Sequence, residues 1–392
     1  MSGEIMNSKS IKELLSGVKV KWERLGEVLV RTKGTKITAG KMKELHKDNA
    51  PIKIFAGGKT VAFVDFNDIP QKDINTKPSI IVKSRGIIEF EYYDKPFSHK
   101  NEMWSYYSDD ENIDIKFIYY FLKIKETYFQ RVASKMQMPQ ISIPDTDNFK
   151  IPIPPLEVQK KIVQILDSFT ELTTELTTEL IARKKQYSYY RDKLLTFKDN
   201  EVEWKRLGEI AIKISSGGTP KTSISKYYNG NIPWLRTQEI NFEEIWDTDK
   251  KITEEGLKNS SAKLIPKNCV IVAMYGATVG KVAINKIKMA TNQACANIQL
   301  DENIAYYRYV FYYLSSKYEY IKSLGTGSQT NINANIVKNL EIPIPPIEKQ
   351  KEIVAILDKF DTLTNSISEG LPREIELRKK QYEYYRDKLL NF

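Results

Sequence analysis

The chain is written twice. WERLGEV at 22–28 returns as WKRLGEI at 204–210, with five of seven positions identical. IPIPPLEVQKKIVQILDSFTEL at 151–172 returns as IPIPPIEKQKEIVAILDKFDTL at 342–363, with 15 of 22 identical. RKKQYSYYRDKLLTF at 183–197 returns as RKKQYEYYRDKLLNF at 378–392, with 13 of 15 identical. The order is the same both times and the period is about 190 residues, which marks a duplicated half-molecule and not a short-period solenoid. Residues 29–150 and 211–341, which lie inside the two frames, share little obvious identity. Drift alone would erode frame and filling alike. The contrast implies that the frames do one shared structural job and the fillings two different specific jobs.

The frame contains long helices. From Leu156 to Thr196 there is no Gly and no Pro, and apolar residues fall at Ile162, Leu166, Phe169, Leu176, Leu180, Tyr187, Tyr190 and Leu194. With Thr173 and Arg183 filling the gaps, the steps alternate four and three, the spacing of a coiled-coil seam. Such a helix is roughly 60 Å long. In the second copy the offset grows from 191 to 195 within the helix. Four extra residues near SEGLP (368–372) predict a stutter, with Pro372 after Gly370 breaking or kinking the helix. A lone helix would leave its seam exposed, so the two copies are expected to pair antiparallel. IKELLSGVKVKWERLGEV (11–28) loosely echoes DKLLTFKDNEVEWKRLGEI (192–210), as though a circle of two halves had been cut.

The fillings read as small α/β domains. IPWLR (232–236), CVIVAMY (269–275), KVAIN (281–285) and ACANIQL predict strands, with a GATVGK turn between the second and third. Residues 304–323 predict an aromatic-rich helix, and GTGSQTNI (325–332) a polar loop. The first filling follows a similar plan in PSIIVKSRGIIEF (78–90), IKFIYYFLKIKETYF (115–129) and SKMQMPQISI (134–143). The expected fold class is α/β, with two globular domains joined by two long antiparallel coiled-coil helices in an internal two-fold-like repeat. The boundaries read as an N-terminal extension at 1–21, a first domain at 22–150, a first spacer helix region at 151–197, a linker at 198–203, a second domain at 204–341 and a second spacer helix region at 342–392.

Composition excludes several classes. With 41% hydrophobic and 28% charged residues the chain is an ordinary globular one. No stretch approaches the ~20 apolar residues of a membrane span. The opening MSGEIMNSKSIKELLSG lacks the pattern of a secretory leader, so a cytoplasmic location is expected. Two cysteines and two histidines are too few for a disulfide framework or a Cys/His zinc site. A net charge of +10 favours an acidic partner, most commonly nucleic acid. Enzyme motifs fail one by one. GATVGKV (276–282) is one residue short of a phosphate-binding loop and lacks the Ser/Thr after Lys281. FAGGK (55–59) has Lys59 where an adenine methyltransferase needs glycine, and no Asn/Asp-Pro-Pro-aromatic motif is present to hold a flipped base. Pro144-Asp145 is followed by no nuclease (D/E)xK before Glu203-Trp204-Lys205. His46 and His99 have no evident catalytic company. No catalytic residue and no metal site is expected.

The duplicated IPIPPxExQxxIVxILDxF and RKKQYxYYRDKLL segments, with the WxRLGE lead-ins, strongly resemble the specificity subunit of type I restriction–modification systems. GGTPK (217–221), IPWLR, AMYGATVGK (273–281), TNQACANI (291–298) and GTGSQTNI add the usual look of a target recognition domain. The first filling departs more: it lacks GGTP and IPW, and SRGIIEF replaces the glycine-lysine end of the turn. The resemblance implies two target recognition domains, each reading one half of a split, asymmetric double-stranded DNA site. Half-sites on one DNA face lie about one helical turn, ~34 Å, apart. It also implies recruitment of two copies of an adenine methyltransferase subunit that carries S-adenosylmethionine, with a motor–nuclease subunit completing a restriction complex. No cofactor is expected in this chain. The rival reading is a coiled-coil interaction scaffold that binds proteins through its fillings; a fused methyltransferase is a third, against which the missing motifs argue.

Base reading needs Arg/Lys or Asn/Gln on loops that reach the major groove, and phosphate contacts need Lys, Arg, hydroxyls or free backbone N–H groups. In the second domain the candidates are Ser216, Gly218, Thr219, Lys221, Arg236, Tyr275, Thr278, Lys281, Asn292, Gln293, Ser328 and Gln329. In the first domain, by position against the repeat, they are Lys33, Lys36, Lys83, Ser84, Arg85, Lys100, Asn101, Lys135 and Gln137. Candidate methyltransferase contacts are Gln159, Lys160, Arg183, Lys184, Lys185, Gln350, Lys351, Arg378, Lys379 and Lys380.

Overall fold

A computed structural model describes residues 8–134, 138–198, 200–325, 331–366 and 368–392. The chain gathers into two compact units, one of Met1–Leu176 with Glu374–Phe392 and one of Thr177–Arg373.

In the first unit the frame closes on itself through a two-stranded antiparallel ribbon. Strand β1 (Lys21–Arg24) pairs with the IPIPP strand, which is β9 in chain order (Lys150–Ile153), and Trp22 lies opposite Pro152. A ribbon with no third strand tolerates the prolines that a central strand would reject. Between these ends lie β2 (Val30–Thr32), β3 (Ile52–Phe55), β4 (Val61–Val64), β5 (Ser79–Lys83), β6 (Glu89–Tyr93), β7 (Phe97–His99) and β8 (Trp104–Tyr107). They form two sheets, ordered β2-β8-β5-β6 and β4-β3-β7.

The second unit repeats the plan. Its ribbon pairs β10 (Glu203–Arg206) with the second IPIPP strand, β20 (Glu341–Ile344), and places Trp204 opposite Pro343. The filling holds β11 (Ala211–Ser216), β12 (Tyr228–Leu235), β13 (Glu244–Ile245), β14 (Lys251–Ile252), β15 (Leu264–Ile265), β16 (Val270–Ala273), β17 (Val282–Asn285), β18 (Met289–Thr291) and β19 (Cys295–Leu300). The sheet orders are β11-β19-β16-β17-β13 and β14-β12-β18-β15. Two unlike fillings therefore share one topology, in which β2, β3, β5, β6, β7 and β8 match β11, β12, β16, β17, β18 and β19. The first filling lacks IPW but keeps the strand, because Ile52–Phe55 pairs in parallel with β7 as Tyr228–Leu235 does with β18.

Each unit packs an aromatic helix on its first sheet, Ile115–Ile124 in one and Tyr307–Ser316 in the other. The long helix Leu156–Leu194 is uninterrupted, as the absence of Gly and Pro predicts. Its early part buries Ile162 and Leu166 in the first unit's core together with Leu389 and Leu390 from the end of the chain, and Phe169 stacks on Tyr385 at 5.2 Å. Its late part belongs to the second unit, where Tyr187 and Tyr190 stack on Phe360 at 6.1 and 5.6 Å. Within the first unit the early part of the helix thus meets the chain's last segment, and within the second unit its late part meets helix Ile347–Asn365. The expectation of a cut circle thus has a physical form. In the second unit, residues 183–197 precede their filling in sequence; in the first unit, the equivalent 378–392 comes from the far end of the chain.

The second helix breaks at SEGLP, as expected, and only the expected stutter is corrected. The chain breaks between Asn365 and a new helix, Gly370–Leu389. Gly370 has a φ of +74°, and a Cβ there would meet the Thr362 carbonyl oxygen at 2.4 Å. Pro372 sits in the first turn of the new helix, where its missing N–H costs no hydrogen bond. The four extra residues are taken up by this break and not by a stutter in a continuous helix.

Candidate nucleic-acid interface

In the second unit the strand ends converge. Ser216 at the end of β11 lies opposite Ala296, Ala273 at the end of β16 lies opposite Cys295, and Leu235 at the end of β12 lies beside Thr291. The loops leaving these ends (217–221, 236–239, 274–281 and 292–294) therefore share one edge. Hydrogen bonds tie them together. Gly218 N–H donates to the Thr291 carbonyl at 2.9 Å, Asn292 N–H to Leu235 at 2.9 Å, and the Thr278 hydroxyl to Thr237 at 2.7 Å. Ile332 N–H reaches the Met274 carbonyl at 3.0 Å, which brings the end of the GTGSQTNI stretch to the same edge.

The first unit builds the same edge. Thr32 at the end of β2 lies opposite Ser105, Val82 in β5 lies opposite Trp104, and Phe55 at the end of β3 lies beside His99. Loops 33–38, 56–60, 84–88 and 100–103 leave there. Ile141 N–H donates to Ser84 at 3.0 Å and Gly86 N–H to Pro139 at 2.8 Å, so residues 138–141 join them. Lys36, Lys100 and Asn101 line an open cleft of about 690 Å³ at this edge.

Most sequence-derived candidates gather on these two edges, but not all are free to bind. In the second unit Ser216, Lys221, Tyr275 and Gln293 are exposed. Thr219 and Gln293 hydrogen-bond each other. Thr278 and Asn292 are half-buried, and the Asn292 carboxamide oxygen accepts from Ala294 N–H at 3.2 Å. The Lys281 ammonium is drawn to Asn241 Oδ1 at 2.7 Å. Arg236 is half-buried beside Asp249 (2.9 Å) and Glu239 (3.6 Å), and its Nε has no hydrogen-bond partner. Gly218 is corrected: it is buried, its N–H is spent on Thr291, and a Cβ would meet Ala262 N at 2.3 Å. It lets two segments approach closely and does not face a ligand.

In the first unit Lys33, Lys36, Arg85 and Asn101 are exposed. Lys100 is half-buried and pairs with Glu102 at 2.6 Å. Ser84 is corrected, being buried with its hydroxyl donating to the Glu102 carbonyl at 2.8 Å. Lys83 is largely buried between Glu91 (2.9 Å) and Glu89 (3.3 Å). Burial opposes its charge, but the two carboxylates outweigh it and hold the ammonium above its ordinary value. It is a paired structural cation, and that reading replaces a DNA contact. Lys135, Gln137, Ser328 and Gln329 lie outside the described residues.

Among the frame candidates, Gln159 and Gln350 are corrected. Both are fully buried. Gln350 Oε1 accepts from Tyr306 N–H at 2.8 Å, while Nε2 donates to the Ile304 and Pro345 carbonyls at 2.9 and 2.8 Å. Gln159 does the same with Asp114 N–H, Asn112 and Pro154. They bind their own filling to the helix. Lys160, Lys184, Lys185, Lys351 and Lys379 are exposed. Lys380 pairs with Glu376 at 2.5 Å, while Arg183 and Arg378 pair with Glu179 and Glu374 at 3.3 and 2.8 Å, within their own helices.

Three features escaped the sequence reading. The Gly57-Gly58-Lys59 loop follows β3 as Arg236 follows β12, so Lys59 is exposed on the first edge. Ile87 and Met138 stand at that edge 68% and 65% exposed. Away from the edges, both units expose a tryptophan, Trp22 at 46% and Trp204 at 36%. Trp204 lines a cavity of about 500 Å³ with Leu314, Lys317, Tyr320 and Asn339. The matching positions, Leu122, Lys125, Tyr128 and Asn148, carry the same residues in fillings that otherwise differ. There Trp22 meets Phe121 at 6.1 Å and Lys125 lies over the same ring.

His99 is buried, with its Nδ1 3.1 Å from the Lys100 carbonyl oxygen and its Nε2 3.2 Å from the Thr32 hydroxyl. Burial pushes its imidazole below the ordinary value, the behaviour of a core histidine. Among the described residues no group of three or more His, Cys, Asp or Glu could hold a metal ion, and no helix is long and apolar enough to cross a membrane.

Comparison with known proteins matches this architecture. The family model for the type I restriction modification DNA specificity domain matches residues 19–185 and 200–377, one match per repeat. The EcoR124I/EcoR124II specificity subunit of Escherichia coli is 39% identical over 398 residues, covering 97% of this chain and 96% of that protein. The type I restriction–modification S subunit of M. genitalium superposes with a TM-score of 0.63 at 18% identity, covering 95% and 96% of the two chains. A chain solved in work on complex assembly and conformational transition of the type I R-M system superposes with a TM-score of 0.55 at 18% identity, over 95% and 97%.

Proposed function

This chain belongs to the type I restriction–modification DNA specificity family, and we propose that each of its two units reads one half of a split, asymmetric duplex site through the loop edge described above. The observation that carries this reading is the pairing of one strand framework, built twice, with different residues on the same loops. Where the second unit offers Tyr275, Thr278, Lys221 and Arg236, the first offers Arg85, Ile87, Lys36 and Lys59. Different donors and acceptors on one framework read different bases. The exposed lysines supply phosphate contacts that set register without sequence information.

The chain is the reader and not the catalyst. Chemistry comes from two copies of an adenine methyltransferase subunit that binds S-adenosylmethionine, and a motor–nuclease subunit completes the restriction complex. Two identical partners need two equivalent surfaces. The exposed Trp22 and Trp204 are the surfaces that the fillings keep alike, since the Leu, Lys, Tyr and Asn beside Trp204 recur at the matching positions Leu122, Lys125, Tyr128 and Asn148 of the first filling, and they replace Gln159 and Gln350 as partner contacts. Exposed tryptophan and tyrosine are typical interface anchors. Genome-wide mapping of methylated adenine in cells with and without this chain tests the reading. Loss of one split, asymmetric motif is expected. An unchanged map in cells that express the partner subunits would overturn it.

A further inference from the structure

The loop edge of the first unit carries an apolar apex. Ile87 follows Gly86, whose φ of +75° makes the turn between β5 and β6. In this turn, just before β6, the neighbouring Ile88 is fully buried while Ile87 stands outward, 68% exposed. Met138, 65% exposed, stands on the segment hydrogen-bonded to this turn. Two backbone hydrogen bonds make the clamp, Gly86 N–H to the Pro139 carbonyl at 2.8 Å and Ile141 N–H to the Ser84 carbonyl at 3.0 Å, and together they form an antiparallel bridge between Arg85 and Gln140. These bonds hold the turn against residues 139–141, and the exposed Arg85 flanks it. A single exposed isoleucine needs no explanation. Two large apolar side chains on adjacent clamped segments, at the edge proposed to meet DNA, do. The equivalent turn of the second unit, Tyr275–Gly280, offers no large aliphatic side chain outward.

We infer that Ile87, supported by Met138, reads the 5-methyl group of a thymine in the major groove of the half-site bound by the first unit. That methyl is the apolar feature a base pair presents there, and an aliphatic side chain is the group that senses it. Arg85 beside it is placed for a phosphate or a neighbouring guanine. The inference rests on the proposed reading of DNA by this edge.

The experiment uses the full chain assembled with its methyltransferase partners and duplexes carrying the mapped motif. Each thymine is replaced in turn by uracil, which removes the methyl alone. For the unaltered chain, one replacement in one half-site weakens binding by about fourfold, the worth of one buried methyl group. Ile87→Ser removes that difference, binding thymine and uracil duplexes equally, and Met138→Ser reduces it. Both residues are exposed, so unchanged melting temperatures confirm intact folds. The inference is overturned if Ile87→Ser retains the full thymine–uracil difference, if no replacement matters to the unaltered chain, or if Ile87→Ser weakens both duplexes equally, the mark of a wedge between base steps. Absence of any preference for the motif would instead fail the underlying reading of DNA.

Discussion

Gln350 offers the sharpest test of how the frame works. Its carboxamide is fully buried and makes three hydrogen bonds, one from Tyr306 N–H and one each to the Ile304 and Pro345 carbonyls. Gln350→Met keeps the volume, so no cavity confuses the result. It leaves one N–H and two carbonyls buried without their partner. An unsatisfied buried group costs about 1–3 kcal/mol. Taking the low end, because methionine gains some apolar burial, gives about 3 kcal/mol in all. For a unit of about 200 residues, each kcal/mol moves the melting temperature by about 2–4 °C. The transition of the second unit should therefore fall by about 6–12 °C in scanning calorimetry, and Gln159→Met should do the same to the first. Below those temperatures both variants should still load methyltransferase partners. A shift under about 2 °C combined with loss of partner binding would show that Gln350 faces a partner, and would refute the reasoning.

Four further outcomes follow from the geometry. Trp204→Ala and Trp22→Ala should each lower partner loading from two copies to one, with DNA half-site preference kept, as read by mass measurement of the assembled complex. Arg236→Ala should relax preference at one base of one half-site at a cost of about 1–3 kcal/mol in competition binding, whereas a uniform loss across sequences would mark a phosphate contact. Gly370→Ala forces a Cβ into the Thr362 carbonyl at a positive φ and should destabilise the second unit by more than about 1 kcal/mol in denaturant titration. His99 is held neutral by burial, its folded pKa lying below the unfolded value. The unfolded chain thus takes up its proton first, so stability should fall as pH drops below about 6.5 and level off below the folded pKa. His99→Asn should flatten that part of a melting-temperature profile.

The long helix was legible because its signal is local: apolar residues at steps of three and four, and no Gly or Pro across Leu156–Leu194. The cut circle was legible because three repeated segments occur in one order. The ribbon between WxR and IPIPP was not, because Trp22 and Pro152 come together across some 130 residues and nothing near either names the other. Loop candidates were chosen by residue type and position in the repeat, which placed Lys36, Arg85 and Lys221 on the edges but could not see that Ser84 and Gly218 are buried and Lys83 largely so. Polar residues in a repeated motif look like surface contacts until their partners are known, and Gln159 and Gln350 were misread for that reason. The strand Ile52–Phe55 was missed because its kinship with IPWLR lies in pairing, not in letters.

The pattern of identity between the repeats follows from which side chains cross from frame to filling. Asp167 lies in a frame motif and accepts from the Tyr120 hydroxyl at 2.6 Å and the Lys116 ammonium at 2.7 Å, both in the filling. Asp358 accepts from Tyr312 at 2.6 Å and Arg308 at 2.6 Å in the same way. The tyrosine is kept, the cation is kept as a cation, and the residues around them differ. Gln159 and Gln350 add a second crossing, made to backbone groups and therefore indifferent to the filling's side chains. Each buried polar group on the helix must find its partner, since an unpaired one is costly, and that requirement holds the filling's base in one geometry. The loop edge lies on strand ends that none of these bonds touch. Its residues can change without breaking a crossing, so a fixed frame can carry two edges of different chemistry.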